Sequence, residues 1–339
     1  MPSVFSGFRA CLVLLAVAAA CPAVAQMPLR VVLPFSFQGA LGNWTLAEAD
    51  GCYKRQDLAV VIDGGKGSGD AISKVAAGAY DIGIADFSSI VLFGVRQPAV
   101  GLVVVYVMWD RTPTSVAALK KSGIRKPTDL AGKRIGDPVG EASRELFPAF
   151  ADATGLDPKS VEWINVAINL RQTALFRGEY DAAAGHMYTI TSGLRAIGVA
   201  DDDVVVMPYA DYGVEMFGNS VFVKSAWAAA HQKEVKGFLV CAVESMKKAI
   251  ADPKAAVASL KPHNSMLDER QANAELEFSN HFSVLTPHVR ANGLSTIDPA
   301  RLDKVLATVA LAYGIEKPAA TIWSGAYLPP LADRKVAAP

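Results

Sequence analysis

The sequence predicts an α/β protein built as two lobes in series. Three observations carry that expectation. The chain has 339 residues, two or three times the usual single domain, so one core is not enough to organise it. Apolar residues make up 51% and charged residues 19%, enough burial to offset ordering entropy. Short β-branched runs alternate with helix-period segments, twice over, which is the pattern of parallel sheets covered on both faces.

The first unit starts with Leu29 to Phe35 as a strand. Asn43 then stands as a cap for a helix running through Ala47 to about Tyr53. Leu58 to Ile62 forms the second strand, followed by the glycine-rich turn Gly64 to Gly69. Ile72, Val75, Ala76 and Ala79 share one face of the next helix. Asp81 to Ala85 and Val100 to Met108 supply the third and fourth strands.

The second unit repeats this order. Lys133 to Gly136 is a strand, and Ser143 to Thr154 a helix stopped by Gly155. Val161 to Val166 is a strand and Leu170 to Phe176 a helix. Asp181 to Gly185 and Val204 to Met207 are further strands. Tyr80-Asp81 and Tyr180-Asp181 echo one another at the third strand of each unit. The remainder is helical. Val235, Phe238, Leu239, Ala242, Val243, Met246, Ala249 and Ile250 form one apolar stripe, and Asp298-Pro299 opens a last helix to Tyr313.

The N-terminus reads as a targeting segment. Arg9, the apolar run Cys11 to Ala20 and the triplet Ala23-Val24-Ala25 make a signal peptide over residues 1–25, cleaved after Ala25. Lipid anchoring at Cys21 is the weaker alternative, because Ala18-Ala19-Ala20 lacks a large aliphatic residue. An exported protein of this kind is expected in the periplasm. The mature chain retains Cys52 and Cys241, which either pair or stay free. Lys+Arg and Asp+Glu both number 33, so a nucleic-acid partner is not expected. The five histidines form no ligand cluster, and no metal or cofactor is expected.

Four stretches, in this order and spacing, resemble one family. They are Glu48 to Ile62 (EADGCYKRQDLAVVI), Gly65 to Ser89 (GKGSGDAISKVAAGAYDIGIADFSS), Ile124 to Gly136 (IRKPTDLAGKRIG) and Tyr209 to Val223 (YADYGVEMFGNSVFV). The chain resembles the periplasmic substrate-binding proteins of ABC transporters of the nitrate/sulfonate/taurine and thiamine-pyrimidine type. The resemblance implies a type II periplasmic binding protein fold, with a ligand cleft between two α/β lobes. Lobe 1 would take residues 26–110 and 222–339 and lobe 2 residues 111–221, with crossings near Asp110 to Ser115 and Phe217 to Val221. The implied partners are a small-molecule ligand and an ABC permease with its ATPase in the inner membrane, and the chain is expected as a monomer.

A physical route leads to the same cleft. Open α/β sheets bind ligands at the carboxyl ends of their strands. Two such lobes closing on a hinge would grip a solute between them. The residues at those ends are therefore the candidates, each with a plainer alternative. Trp44 stacks on a ligand or packs in the core. Gly67, Ser68 and Gly69 present free N–H groups at a helix start, or make a plain turn. Asp86 accepts from a ligand amine, or caps the helix after it. Trp109 forms the other half of an aromatic clamp, or packs at the hinge. Glu141 takes a ligand donor, or complements a helix dipole. His186 and Tyr188 face the opposing lobe, or are satisfied polar residues. Asn169 and Asn219 are weaker candidates.

The two tryptophans and the carboxylates suggest a flat, nitrogen-bearing ligand, such as a pyrimidine-like thiamine precursor. A sulfonate would want an arginine pair. Arg111, Arg144 and Arg171 are present but in no clear pocket loop. Nitrate or an aromatic acid is a further alternative. Relatives that synthesise the pyrimidine carry a Cys-rich motif, which is missing here, as is a G-x-S-x-G elbow. The expectation is a binding protein and not an enzyme.

Overall fold

Two mixed sheets of five strands each carry the architecture, as seen in a computed structural model that describes residues 1–2 and 28–336. The expected signal peptide, its cleavage site and Cys21 lie outside the described residues. The first sheet contains β1 (Leu29–Val32), β2 (Val60–Asp63), β3 (Ile82–Asp86), β4 (Leu102–Val107) and a strand from later in the chain, Asn219–Lys224. The second contains β5 (Thr114–Leu119), β6 (Arg134–Gly136), β7 (Glu162–Ile164), β8 (Ala182–His186) and β9 (Val204–Pro208). With Asn219–Lys224 as β10, the orders are β2-β1-β3-β10-β4 and β7-β6-β8-β5-β9.

The parallel-sheet expectation is corrected at one strand in each sheet. β10 runs antiparallel to both β3 and β4, and β5 runs antiparallel to both β8 and β9. Both strands grow directly out of the segments read as crossings. The chain leaves the first sheet after β4 and becomes the reversed strand of the second. After β9 it returns as the reversed strand of the first.

The Tyr-Asp echo is a structural repeat. Asp81 accepts the backbone N–H of Arg30 at 2.8 Å, and Asp181 accepts that of Arg134 at 2.8 Å. Each carboxylate thus pins the start of a strand to its neighbour, β3 to β1 in the first sheet and β8 to β6 in the second.

Helices cover the sheets as the apolar periods require. Val235, Phe238, Leu239, Ala242, Val243 and Met246 of the helix Gln232–Ala251 are all buried against the first sheet's core, and Ala249 is buried in a separate cluster with Leu46 and Leu276. Cys241 of that helix and Cys52 form a disulfide, closing the question left by the sequence. The helix expected over Ser143 to Thr154 is broken into Ala142–Glu145 and Phe147–Thr154. Pro148 has no N–H for a continuous ladder, so the second helix must start afresh at that point. Asp298 caps the helix Pro299–Tyr313 by accepting from the N–H groups of Ala300 and Arg301. No helix among the described residues is long and apolar enough to cross a membrane.

A cleft between two sheets

A cavity of about 450 Å³ opens between the lobes. Its walls come from residues just past the carboxyl ends of β1, β2, β6, β7 and β8, among them Phe35, Lys66, Glu141, Asn169 and His186. Both sheets therefore point the same ends into one space, as open α/β folds do at their ligand sites.

From the first lobe, Gly65, Lys66 and Ser68 line the cavity. Gly67 has φ +121°, and the helix Ser68–Ala76 starts immediately after it. The Ser68 hydroxyl accepts the backbone N–H of Asp86 at 3.0 Å, which ties the glycine turn to the end of β3. Gly69 is exposed and does not line the cavity.

Asp86 lies one layer behind. It caps the helix Phe87–Arg96, accepting from the backbone and hydroxyl of Ser88 through Oδ1. Its Oδ2 is buried and has no partner among the described residues. Burial pushes this carboxyl up to about 6, against the pull of the Ser88 bonds. The capping alternative read from the sequence is thus realised.

From the second lobe, Glu141 reaches across. A β-carbon at Gly67 would lie 2.7 Å from its Oε1. No donor side chain bonds to Glu141 among the described residues, although it stands before the helix Ala142–Glu145 and is only half-buried. Burial, and then the charge of Asp137, push its carboxyl up to about 7.

His186 lines the cavity, with the edge of Phe35 at 6.0 Å and of Trp109 at 5.4 Å. Its Nδ1 lies 3.2 Å from the Tyr188 hydroxyl. Burial, then the nearby Arg171 charge, lowers it to about 3, so the ring is neutral at ordinary pH. Tyr188 and Trp109 are buried behind His186 and support it without lining the cavity.

Trp44 is not at the cleft. It is fully buried and stacks on Phe238 at 5.5 Å. The helix Gly42–Ala49 starts earlier than Asn43 as a cap would place it, so Trp44 falls inside the helix on its core face. The Asn43 side chain caps nothing and is buried without a partner. An aromatic clamp of Trp44 and Trp109 is therefore not formed. Asn219 is likewise buried at the start of β10, with its amide unpartnered among the described residues.

Arg171, read from the sequence as lying in no clear pocket loop, is at the cavity. Its guanidinium is 2% exposed and lines the cavity. Nη1 donates to Asp137 at 3.0 Å and to the Ala184 carbonyl at 2.9 Å, while Nε is buried without a partner. Burial pushes Asp137 up to about 6, even though Arg171 and Ser143 pull the other way. A β-carbon on Gly185 would lie 2.5 Å from Arg171 Nη1, so that glycine is what admits the guanidinium. Arg111 lies over the Phe282 ring and Arg144 over Trp163, away from the cavity.

Two carboxylates bridge the lobes beside the cavity. Glu145 accepts from the Tyr313 hydroxyl at 3.2 Å and from Ser89 at 3.5 Å. Glu275 accepts from Ser192 at 2.9 Å. Among the described residues no group of three or more His, Cys, Asp or Glu is placed to hold a metal ion.

The two mixed sheets and the cleft between them define a periplasmic-binding-protein fold. The alkanesulfonate-binding protein SsuA from Xanthomonas axonopodis pv. citri superposes with a TM-score of 0.66 at 16% identity, covering 88% of this chain and 98% of that one. The aliphatic sulphonate binding protein SsuA from Escherichia coli gives 0.64 at 16%, over 86% and 90%. At such identities the likeness speaks for the fold alone.

Residues 42–256 match the family described as NMT1/THI5 like, and the chain belongs to it. A stretch of 142 residues is 28% identical to the 4-amino-5-hydroxymethyl-2-methylpyrimidine phosphate synthase of Legionella pneumophila, covering 41% of this chain and 43% of that protein. A stretch of 209 residues is 25% identical to the taurine-binding periplasmic protein of Escherichia coli, covering 61% and 63%. The matches thus span 43% to 63% of these curated relatives.

Proposed function

We propose that this protein is an extracytoplasmic solute-binding protein that closes on a small molecule and passes it, unchanged, to an ABC importer. It would work in the periplasm as a monomer, with a permease and its ATPase in the inner membrane as partners. Glu141 carries this reading. It is a half-buried carboxylate from one lobe, set against Gly67 of the other, with no donor side chain bonded to it among the described residues. A carboxylate that lines the cavity and is not engaged by the protein is free to accept from a donor on the solute.

The solute we favour bears ring or amino nitrogens, as a pyrimidine-like thiamine precursor does. The neutral His186 ring and the Phe35 edge offer apolar contact to a flat molecule beside Glu141. A curated relative named for pyrimidine phosphate synthesis and a second described as a putative thiamine biosynthesis protein agree with that choice. A sulfonate is the second reading, favoured by Arg171 in the cavity wall and by the taurine-binding relative.

The test is a thermal-shift screen over aminopyrimidines, sulfonates, nitrate and aromatic acids. A true solute at one hundred times its Kd adds about 2.7 kcal/mol of stability. Stabilisation by an aminopyrimidine with no turnover is the expected result. No shift with any compound, or a new product by mass spectrometry, would contradict the proposal.

A further inference from the structure

The cavity holds opposite charges that do not meet. Arg171 and Glu141 both line it, and Arg171 is near enough to draw the Glu141 carboxyl towards its ionised form. No ion pair joins them among the described residues, and Arg171 pairs instead with Asp137 behind the wall.

That pairing uses one end of the guanidinium. Nη1 serves Asp137 and the Ala184 carbonyl. Nε and Nη2 form the remaining edge, the one on which an arginine grips an oxyanion with two parallel hydrogen bonds. Nε is buried and unpartnered, which is rare for a buried donor and calls for an explanation. Gly185 keeps the guanidinium seated there, because any side chain would displace it.

The charges around the cavity also balance. Lys66 and Arg171 stand against Glu141 and Asp137. A solute that engages both Arg171 and Glu141 offers an acceptor to one and a donor to the other.

We propose that the solute is two-ended. A carboxylate, sulfonate or phosphate sits on the Nε/Nη2 edge of Arg171, and an amino or protonated ring nitrogen sits on Glu141. This rests on the solute-binding reading above and narrows it. A cavity of about 450 Å³ suits a small molecule that bridges the two groups.

The test is calorimetric titration of the mature chain with four probes. They are 4-aminopyrimidine, propanesulfonate, 3-aminopropanesulfonate and 4-aminopyrimidine-5-carboxylate. At least one two-ended probe should bind about tenfold or more tighter than either one-ended probe. The last two probes separate an aliphatic solute from a flat one. Arg171→Lys keeps the charge and loses the bidentate edge. It should weaken the two-ended probe about ten- to hundredfold and leave 4-aminopyrimidine unchanged. Glu141→Gln should weaken the two-ended probe and leave propanesulfonate unchanged. If Arg171→Lys does not fold, the comparison of probes on the unaltered chain decides. Binding of 4-aminopyrimidine with no gain from an added oxyanion overturns the two-ended solute and leaves the binding-protein reading standing. Four flat titrations also overturn it, and the wider thermal-shift panel then decides whether the chain binds a solute at all.

Discussion

The Glu141 carboxylate of the second lobe lies so close to Gly67 of the first that a β-carbon there would stand 2.7 Å from Oε1. Gly67 also has φ +121°, which a side chain rarely adopts. Gly67→Ala should therefore strain the turn by about 1–3 kcal/mol and turn the Glu141 carboxylate aside from its present place. Urea midpoints should fall and solute affinity should drop. A variant with unchanged affinity would remove this contact from the closing mechanism.

Trp44→Ala should act on the fold and not on the solute. Trp44 is fully buried against Phe238 in the core of lobe 1, and deleting such a side chain costs about 3–5 kcal/mol. A large fall in Tm is expected, with solute affinity kept at temperatures where the variant is folded. Full stability with lost affinity would return Trp44 to the ligand site.

Glu141 sets a pH dependence whose sign follows from its environment. Its carboxyl is raised from 4.5 to about 7, first by burial and then by Asp137. A carboxyl raised on folding holds an extra proton between those two values. Its contribution favours the folded chain at low pH and is lost as pH rises from 4.5 to about 7. Asp86 and Asp137, raised to about 6, add the same slope at lower pH. Urea midpoints followed from pH 4.5 to 7 should decline in the parent chain and stay flatter in Glu141→Gln. Parallel curves would show that Glu141 titrates normally.

The disulfide joins the helix Cys52–Arg55 to the helix Gln232–Ala251 across 189 residues of chain. Closing so long a loop restricts the unfolded chain, and losing such a native bridge costs about 2–5 kcal/mol. The Cys52→Ala, Cys241→Ala double variant should show that loss in urea while binding solute normally when folded. Equal stability of the two chains would contradict it.

Much of this architecture is legible in the sequence. The strands of each α/β unit fall within a few residues of the expected runs, and the central strands β3 and β4 are buried at every position. The Tyr80-Asp81 and Tyr180-Asp181 echo carries real structural information, since both aspartates make the same backbone bond. The reversed strands β5 and β10 were hidden, because direction depends on which distant strands they meet. Trp44 was misplaced by the helix starting at Gly42, which turns the ring inward. Arg171 is named by the sequence only among three arginines in no clear pocket loop, because its place depends on Gly185 of another element yielding the space. A buried arginine leaves no periodic signature, and only the packing of β8 against its helix brings it to the cavity.

Small-angle X-ray scattering of the protein, with and without a saturating solute from the thermal-shift screen, tests solute capture most directly. Closure of one sheet's strand ends onto the other's should lower the radius of gyration when solute is added. An identical scattering curve with the site fully occupied would mean that the halves do not move on their cargo, and would contradict the account.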